Sequence, residues 1–115
     1  MLVPEHAVYL MPGYTDMRKA INGLSQVVAQ TEHCEAFDGS YFVFCNKSRQ
    51  IIKILYWEKN GFCLWQKRLE KQRFKWPKDA SSVSQLTSQQ LRWLLDGLNP
   101  KTVKAHKEIY YNILL

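Results

Sequence analysis

Between Lys47 and Lys78 lie ten basic residues: Lys47, Arg49, Lys53, Lys59, Lys67, Arg68, Lys71, Arg73, Lys75 and Lys78. Only Glu58 and Glu70 oppose them, so this stretch is more positive than the +6 of the whole chain, and the remainder is slightly acidic. Basic residues at this density, interleaved with Tyr56, Trp57, Trp65 and Trp76, suit a nucleic-acid backbone. Ammonium and guanidinium groups neutralise phosphates, and aromatic faces stack on bases. The competing reading is a solvated sheet whose lysines guard an edge against aggregation. For any single Trp, core packing outweighs base stacking.

Other chemistry finds little support. Glu32, His33, Cys34, Glu35 and Asp38 place carboxylates, an imidazole and a thiol close together, yet adjacent residues rarely converge on one ion, and no second ligand pair follows at a useful spacing. His6, His33 and His106 fall in three separate segments. No Gly-rich phosphate loop, nucleophile elbow or metal-binding helix motif is present. The few scattered acids do not suit a nuclease that clamps metal with carboxylates. A non-catalytic protein without cofactor or metal is therefore expected.

The elements that must position the basic residues are legible as a pattern. Asn60-Gly61 lies between apolar runs at 51–57 and 62–65 and predicts a two-residue hairpin turn of type I′. In that register Trp57 faces Leu64, Leu55 faces Gln66 and Lys53 faces Arg68, while Tyr56 meets Trp65 and Ile54 meets Lys67. Residues 41–45 form a preceding strand, joined by a polar loop at 46–49. A turn at 70–72 is expected to return the chain as a strand over 73–76, which Pro77 ends. The alternation places Phe42, Phe44, Leu55, Trp57 and Leu64 on one face and Tyr41, Val43, Ile52, Ile54 and Trp65 on the other. Both faces need covers.

Two helices can supply them. Met17, Ile21, Leu24 and Val28 recur at helical spacing, predicting a helix over 16–30 that Thr15 or Asp16 caps. Gly23 within it implies close packing on the sheet. Thr87 and Gln90 match a capping box, with Leu86 and Leu91 as its hydrophobic staple. Leu91, Leu94, Leu95 and Leu98 form that helix's buried stripe, Arg92 and Trp93 lie off it, and Gly97 ends it. This helix suits either a second cover or a dimerisation face, so a homo-oligomer is among the arrangements the sequence allows. Residues 7–10 suit a short first strand, and 79–84 read as a Ser-rich linker. The fold class is α+β: an antiparallel β-meander packed by two helices in a single domain over 1–98, followed by a tail over 99–115.

The bounds agree. A chain of 115 residues with 46% hydrophobic and 23% charged content is a globular domain with a core of its own. Cys34, Cys45 and Cys63 are odd in number and lack Cys-x-x-Cys spacing, which fits free thiols in a reducing cytoplasm. No apolar run reaches the ~20 residues of a membrane span, and residues 1–10 do not resemble a secretory leader. No membrane partner is expected.

Several blocks resemble a known family. Thr15-Asp16-Met17-Arg18-Lys19 followed by Asn22-Gly23-Leu24 is similar to a TDMRKG-x-x-GL signature. Phe42-Val43-Phe44, residues 52–57, Gly61-Phe62-Cys63-Leu64-Trp65, residues 67–70 and Arg73-Phe74-Lys75-Trp76-Pro77 resemble the same family's central block. Leu86-Thr87, Gln90-Leu91, Leu94-Leu95 and Gly97 resemble its closing helix. The family is the TnpB-type accessory protein of the insertion-sequence sixty-six group, encoded by the element's second open reading frame. The chain departs from the pattern at Ala20 and Gln72, where Gly is usual, and at 46–50, where the loop is often richer in Arg and Gly.

The resemblance covers about residues 5–98. It implies a small non-catalytic protein that acts beside a separate transposase, with DNA or that transposase as partner. On this reading Lys53 and Arg68, paired across the hairpin, are the leading DNA contacts. Lys47, Arg49, Lys67, Lys71, Arg73 and Lys75 follow as phosphate contacts on a basic sheet surface. The alternative is an interaction module whose aromatic sheet face and Leu-rich helix dock the transposase without touching DNA.

Overall fold

Runs of apolar residues at period two make strands, and here both phases of the alternation are apolar, so the sheet is buried on both sides. The computed structural model describes residues 7–77 and 82–101. The elements are β1 (Val8–Leu10), α1 (Ile21–Ala29), β2 (Tyr41–Cys45), β3 (Ile51–Glu58), β4 (Gly61–Arg68), β5 (Ser84–Leu86) and α2 (Ser88–Leu95). The five strands form one sheet in the order β4-β3-β2-β1-β5. The fold is a single α+β domain, and the meander β2-β3-β4 is antiparallel as expected. Beyond it the sheet is mixed, because β1 pairs in parallel with β2. Parallel neighbours need a long crossover, which the segment carrying α1 supplies. Ser84, expected to end a linker, instead begins an edge strand with Gln85 and Leu86 that pairs with β1. Residues 78–81, among them the first half of that linker, and the tail from 102 onward lie outside the described residues.

The two faces divide as the alternation predicts. On one, Phe42, Phe44 and Leu55 pack with Leu24 and Val28 of α1, joined by Phe62 and Leu64. On the other, Tyr41, Val43, Ile52 and Ile54 pack with Leu91, Leu94 and Leu95 of α2, joined by Trp65. Each large side chain buried this way contributes about 1.5–3 kcal/mol before entropy is counted. The capping box at Thr87 is present: Gln90 N–H donates to Thr87 Oγ1 at 3.1 Å and Thr87 N–H to Gln90 Oε1 at 2.9 Å. Trp93, expected off the stripe, is only 7% exposed. Gly97, at φ of 85°, ends α2 as expected, with Leu98 N–H donating to Trp93 O at 2.8 Å and Gly97 N–H to Leu94 O at 3.0 Å.

Four further expectations change. The hairpin register pairs Glu58 with Gly61, Trp57 with Phe62, Leu55 with Leu64, Ile54 with Trp65, Lys53 with Gln66 and Ile51 with Arg68. The two turn residues are Lys59 and Asn60, and of these only Lys59 has positive φ, at 53°. Each partner is displaced by two residues from the Asn60-Gly61 expectation, so the face assignments survive. The observed register sets four apolar pairs in succession, from Trp57 with Phe62 to Ile54 with Trp65, and Lys53 against Gln66, leaving Ile52 opposite Lys67 and Ile51 opposite Arg68; the expected one opposed Leu55 with Gln66, Ile54 with Lys67 and Lys53 with Arg68. Cross-strand side-chain matching outweighs the turn preference.

Helix α1 begins at Ile21 rather than Asp16, with Ala20 as an N-cap that makes no side-chain bond. The Asp16 carboxylate instead takes the Arg18 N–H and guanidinium. The carbonyls of Met17 and Lys19 accept from Lys53 Nζ. Gly23 admits a neighbour other than the sheet: a Cβ there would lie 3.3 Å from the Lys19 stem. Finally, residues 73–76 are not a strand. After Leu69 the chain leaves the ladder and runs against the 46–50 loop, inserting Phe74 and Trp76 into the core on the α2 side.

Candidate nucleic-acid interface

The basic residues gather at one end of the sheet, where three connecting segments meet. The first is the 46–50 loop. Asn46 shapes it, its Oδ1 accepting from the N–H groups of Gln50 and Ile51, both at 3.0 Å. Arg49 adopts φ of 60° there, a left-handed conformation uncommon outside glycine and asparagine. The second is the 69–77 segment, tied to the first by Leu69 N–H donating to Gln50 O at 2.8 Å and Phe74 N–H to Arg49 O at 2.7 Å. The third is the 13–19 loop. Thr15 N–H donates to Cys45 O at 2.8 Å, and Trp76 Nε1 donates to Gly13 O at 3.2 Å. The buried rings of Phe74 and Trp76 thus anchor a segment whose alternate residues, Arg73 and Lys75, are exposed.

Around this junction Lys47, Arg68, Lys71, Arg73 and Lys75 are exposed, and Arg49 is half-buried. Arg18 and Lys19 join them, both exposed on the third loop. Sequence reasoning missed these two by assigning them to a helix; the run of charges at 16–19 was the available signal. The acids of the three segments are Asp16 and Glu70. Arg18 pairs with Asp16 at 2.6 Å, and Arg68 lies 3.8 Å from Glu70. Hydrogen bonds from the Arg18 side chain and backbone hold the Asp16 carboxyl down at about 2. Both pairs are solvent-exposed, so each contributes little stability.

Two predicted contacts are engaged internally. Lys53 is 9% exposed. Its Nζ donates to Met17 O at 2.8 Å and to Lys19 O at 2.9 Å. A buried ammonium needs such acceptors, and here they lock the third loop against the sheet. Lys53 and Arg68 are not opposite one another, because the observed register pairs them with Gln66 and Ile51. Lys67 Nζ donates to Leu95 O at 2.8 Å, placing a cation at the C-terminus of α2 where the helix dipole favours it. Most exposed basic side chains of the central stretch therefore lie at the loop end of the sheet, while Lys59 is exposed at the opposite hairpin tip and Arg92 on α2.

Elsewhere, Cys34, Cys45 and Cys63 are free thiols, and burial pushes the Cys45 thiol up to about 12. Among the described residues no group of His, Cys, Asp and Glu could hold a metal ion, and no helix is long and apolar enough to cross a membrane.

Comparison with known proteins adds the relatives. The family described as "IS66 Orf2 like protein" matches residues 6–105, extending past Leu98, where the recognisable blocks end. The chain is 33% identical over 92 residues to the uncharacterized protein y4hO of Sinorhizobium fredii, covering 80% of each chain. It is 28% identical over 89 residues to the uncharacterized protein y4jC of the same organism, covering 77% of this chain and 76% of that one. No solved structure matches.

Proposed function

The chain belongs to the IS66 Orf2-like family of insertion-sequence accessory proteins, and from that premise we propose that it serves transposition by binding duplex DNA without catalysis, in company with the element's transposase in the cytoplasm. The observation that carries this reading is the hydrogen-bonded junction of three loops, which sets exposed basic side chains side by side at one end of a rigid sheet. Phosphates are the chemistry such a surface fits, and contacts of this kind give affinity and register rather than sequence choice. Arg18, Lys19, Lys47, Arg49, Lys71, Arg73 and Lys75 form the contact set, with Arg68 beside them at the edge of β4. Lys53 holds the Arg18–Lys19 loop in place. The competing arrangement would dock the transposase on the aromatic sheet face and the Leu-rich helix; Leu91, Leu94 and Leu95 of that helix are buried in one core, while Tyr56, Trp65 and Phe62 are partly buried.

The test is fluorescence anisotropy with a duplex. Arg73→Ala combined with Lys75→Ala is expected to weaken binding at least tenfold, while Lys59→Ala, at the opposite hairpin tip, leaves it unchanged. Equal losses in both would mean that overall charge, and not this end of the sheet, drives binding. Wild-type protein that fails to bind at low salt would refute DNA contact and leave the transposase as the partner.

A further inference from the structure

Strand β4 ends the sheet, and among the described residues no strand pairs with its outer side. The hairpin fixes which backbone groups face out. In an antiparallel ladder, pairs that exchange hydrogen bonds alternate with pairs that do not. The two-residue turn closes on the bonded pair Glu58 and Gly61, and Leu69 N–H donating to Gln50 O continues the same alternation. The odd-numbered residues of β4 therefore bond inward. Phe62, Leu64, Gln66 and Arg68 direct their N–H and C=O groups to the open edge.

That edge is long and weakly guarded. It has no Pro, and residues 61–66 carry no charge. Proteins usually protect such an edge with lysine, proline or a bulge. Lys67, the lysine of β4, is turned onto Leu95 O instead. The edge also has polarity along its length. At its start Phe62 lies 5.4 Å from Phe37 and 5.0 Å from Trp57, and Phe37 is 63% exposed. At its end stands Arg68, with its side chain 60% exposed.

We propose that β4 pairs antiparallel with β4 of a second copy of this chain, about a twofold axis at Trp65, joining the two sheets into one. The outward groups select the register. Phe62 pairs with the partner's Arg68 and Leu64 with the partner's Gln66, so every outward group from 62 to 68 is satisfied. Each Arg68 guanidinium then lies over the other copy's Phe62 and Phe37 rings, a favourable cation–π arrangement. The two Arg68 side chains stay at opposite ends of the seam. A parallel pairing would set them together. The charge and aromatic polarity of β4 is thus complementary to itself when reversed, which singles out a second copy as the occupant.

The test is the molar mass of the full chain in solution across a concentration series, with hydrogen exchange alongside. A concentration-dependent dimer is expected, with the amides of Leu64 and Gln66 protected in the dimer and exchanging quickly on dilution. Gln66→Pro removes an outward N–H and leaves the bonds to β3 in place, so it is expected to give a folded monomer. Arg68→Glu is expected to raise the dissociation constant at least tenfold. A wild type that stays monomeric throughout, including one that pairs only when transposase is added, would overturn the proposal. So would fast exchange at both amides in a dimer of unchanged mass.

Discussion

Lys53 and Lys67 lie in the most basic stretch of the chain, yet both ammonium groups are engaged inside the fold. Lys53→Met removes the donor shared by the carbonyls of Met17 and Lys19. Leaving these acceptors unpaired is expected to cost about 1–3 kcal/mol in urea unfolding. Because Lys53 holds the loop that carries Arg18 and Lys19, the salt slope of DNA binding is expected to fall as well, by no more than the loss of those two contacts. Arg18→Ala combined with Lys19→Ala should lower that slope by about two. The residue types were legible in the sequence; their exposure was not. A lysine in a strand reads as surface until the loop that covers it is known, and that loop was assigned to a helix.

Asp16 gives a pH test at the same scale. Its carboxyl is lowered from 3.8 to about 2 by the Arg18 hydrogen bonds. A depressed carboxyl adds stability above its unfolded value and loses it as pH falls through the folded one. The difference in urea midpoint between wild type and Asp16→Asn is therefore expected to narrow as pH drops from 3.8 to about 2. Cys45, pushed up to about 12 by burial, should resist thiol-reactive probes at pH 8 until the chain is unfolded.

The elements were more legible than their junctions. The capping box at Thr87 was written in four residues and is present, and Thr87→Ala is expected to destabilise the fold by about 1 kcal/mol, measured by thermal or urea unfolding. The period-two alternation placed Phe42 and Leu55 on one face and Val43 and Ile54 on the other, as found. The hairpin register went astray because the turn signal and the cross-strand pairs disagree here, and the pairs prevail. The start of α1 went astray because a distant lysine, Lys53, takes the carbonyls of Met17 and Lys19 that a first helical turn would use. The strand expected at 73–76 keeps its alternation but not its ladder, since Phe74 and Trp76 contribute more by entering the core than by extending the sheet.

At the scale of the whole molecule, burial of both sheet faces decides where charge can go. With α1 on one side and α2 on the other, exposed basic groups are confined to edges and ends. Three loops bonded to one another collect them at one end. The parallel insertion of β1 was beyond the sequence, because a three-residue strand carries no sign of its neighbours, and it is this insertion that brings the 13–19 loop to the basic end. The measurement that tests this most directly is a salt titration of binding to duplex DNA, comparing wild type with Arg73→Glu combined with Lys75→Glu. The wild type is expected to show a linear fall of log affinity with log salt, at about 0.9 per phosphate contact, and the variant a distinctly shallower slope. Affinity independent of salt, or a variant whose slope matches the wild type, would contradict it.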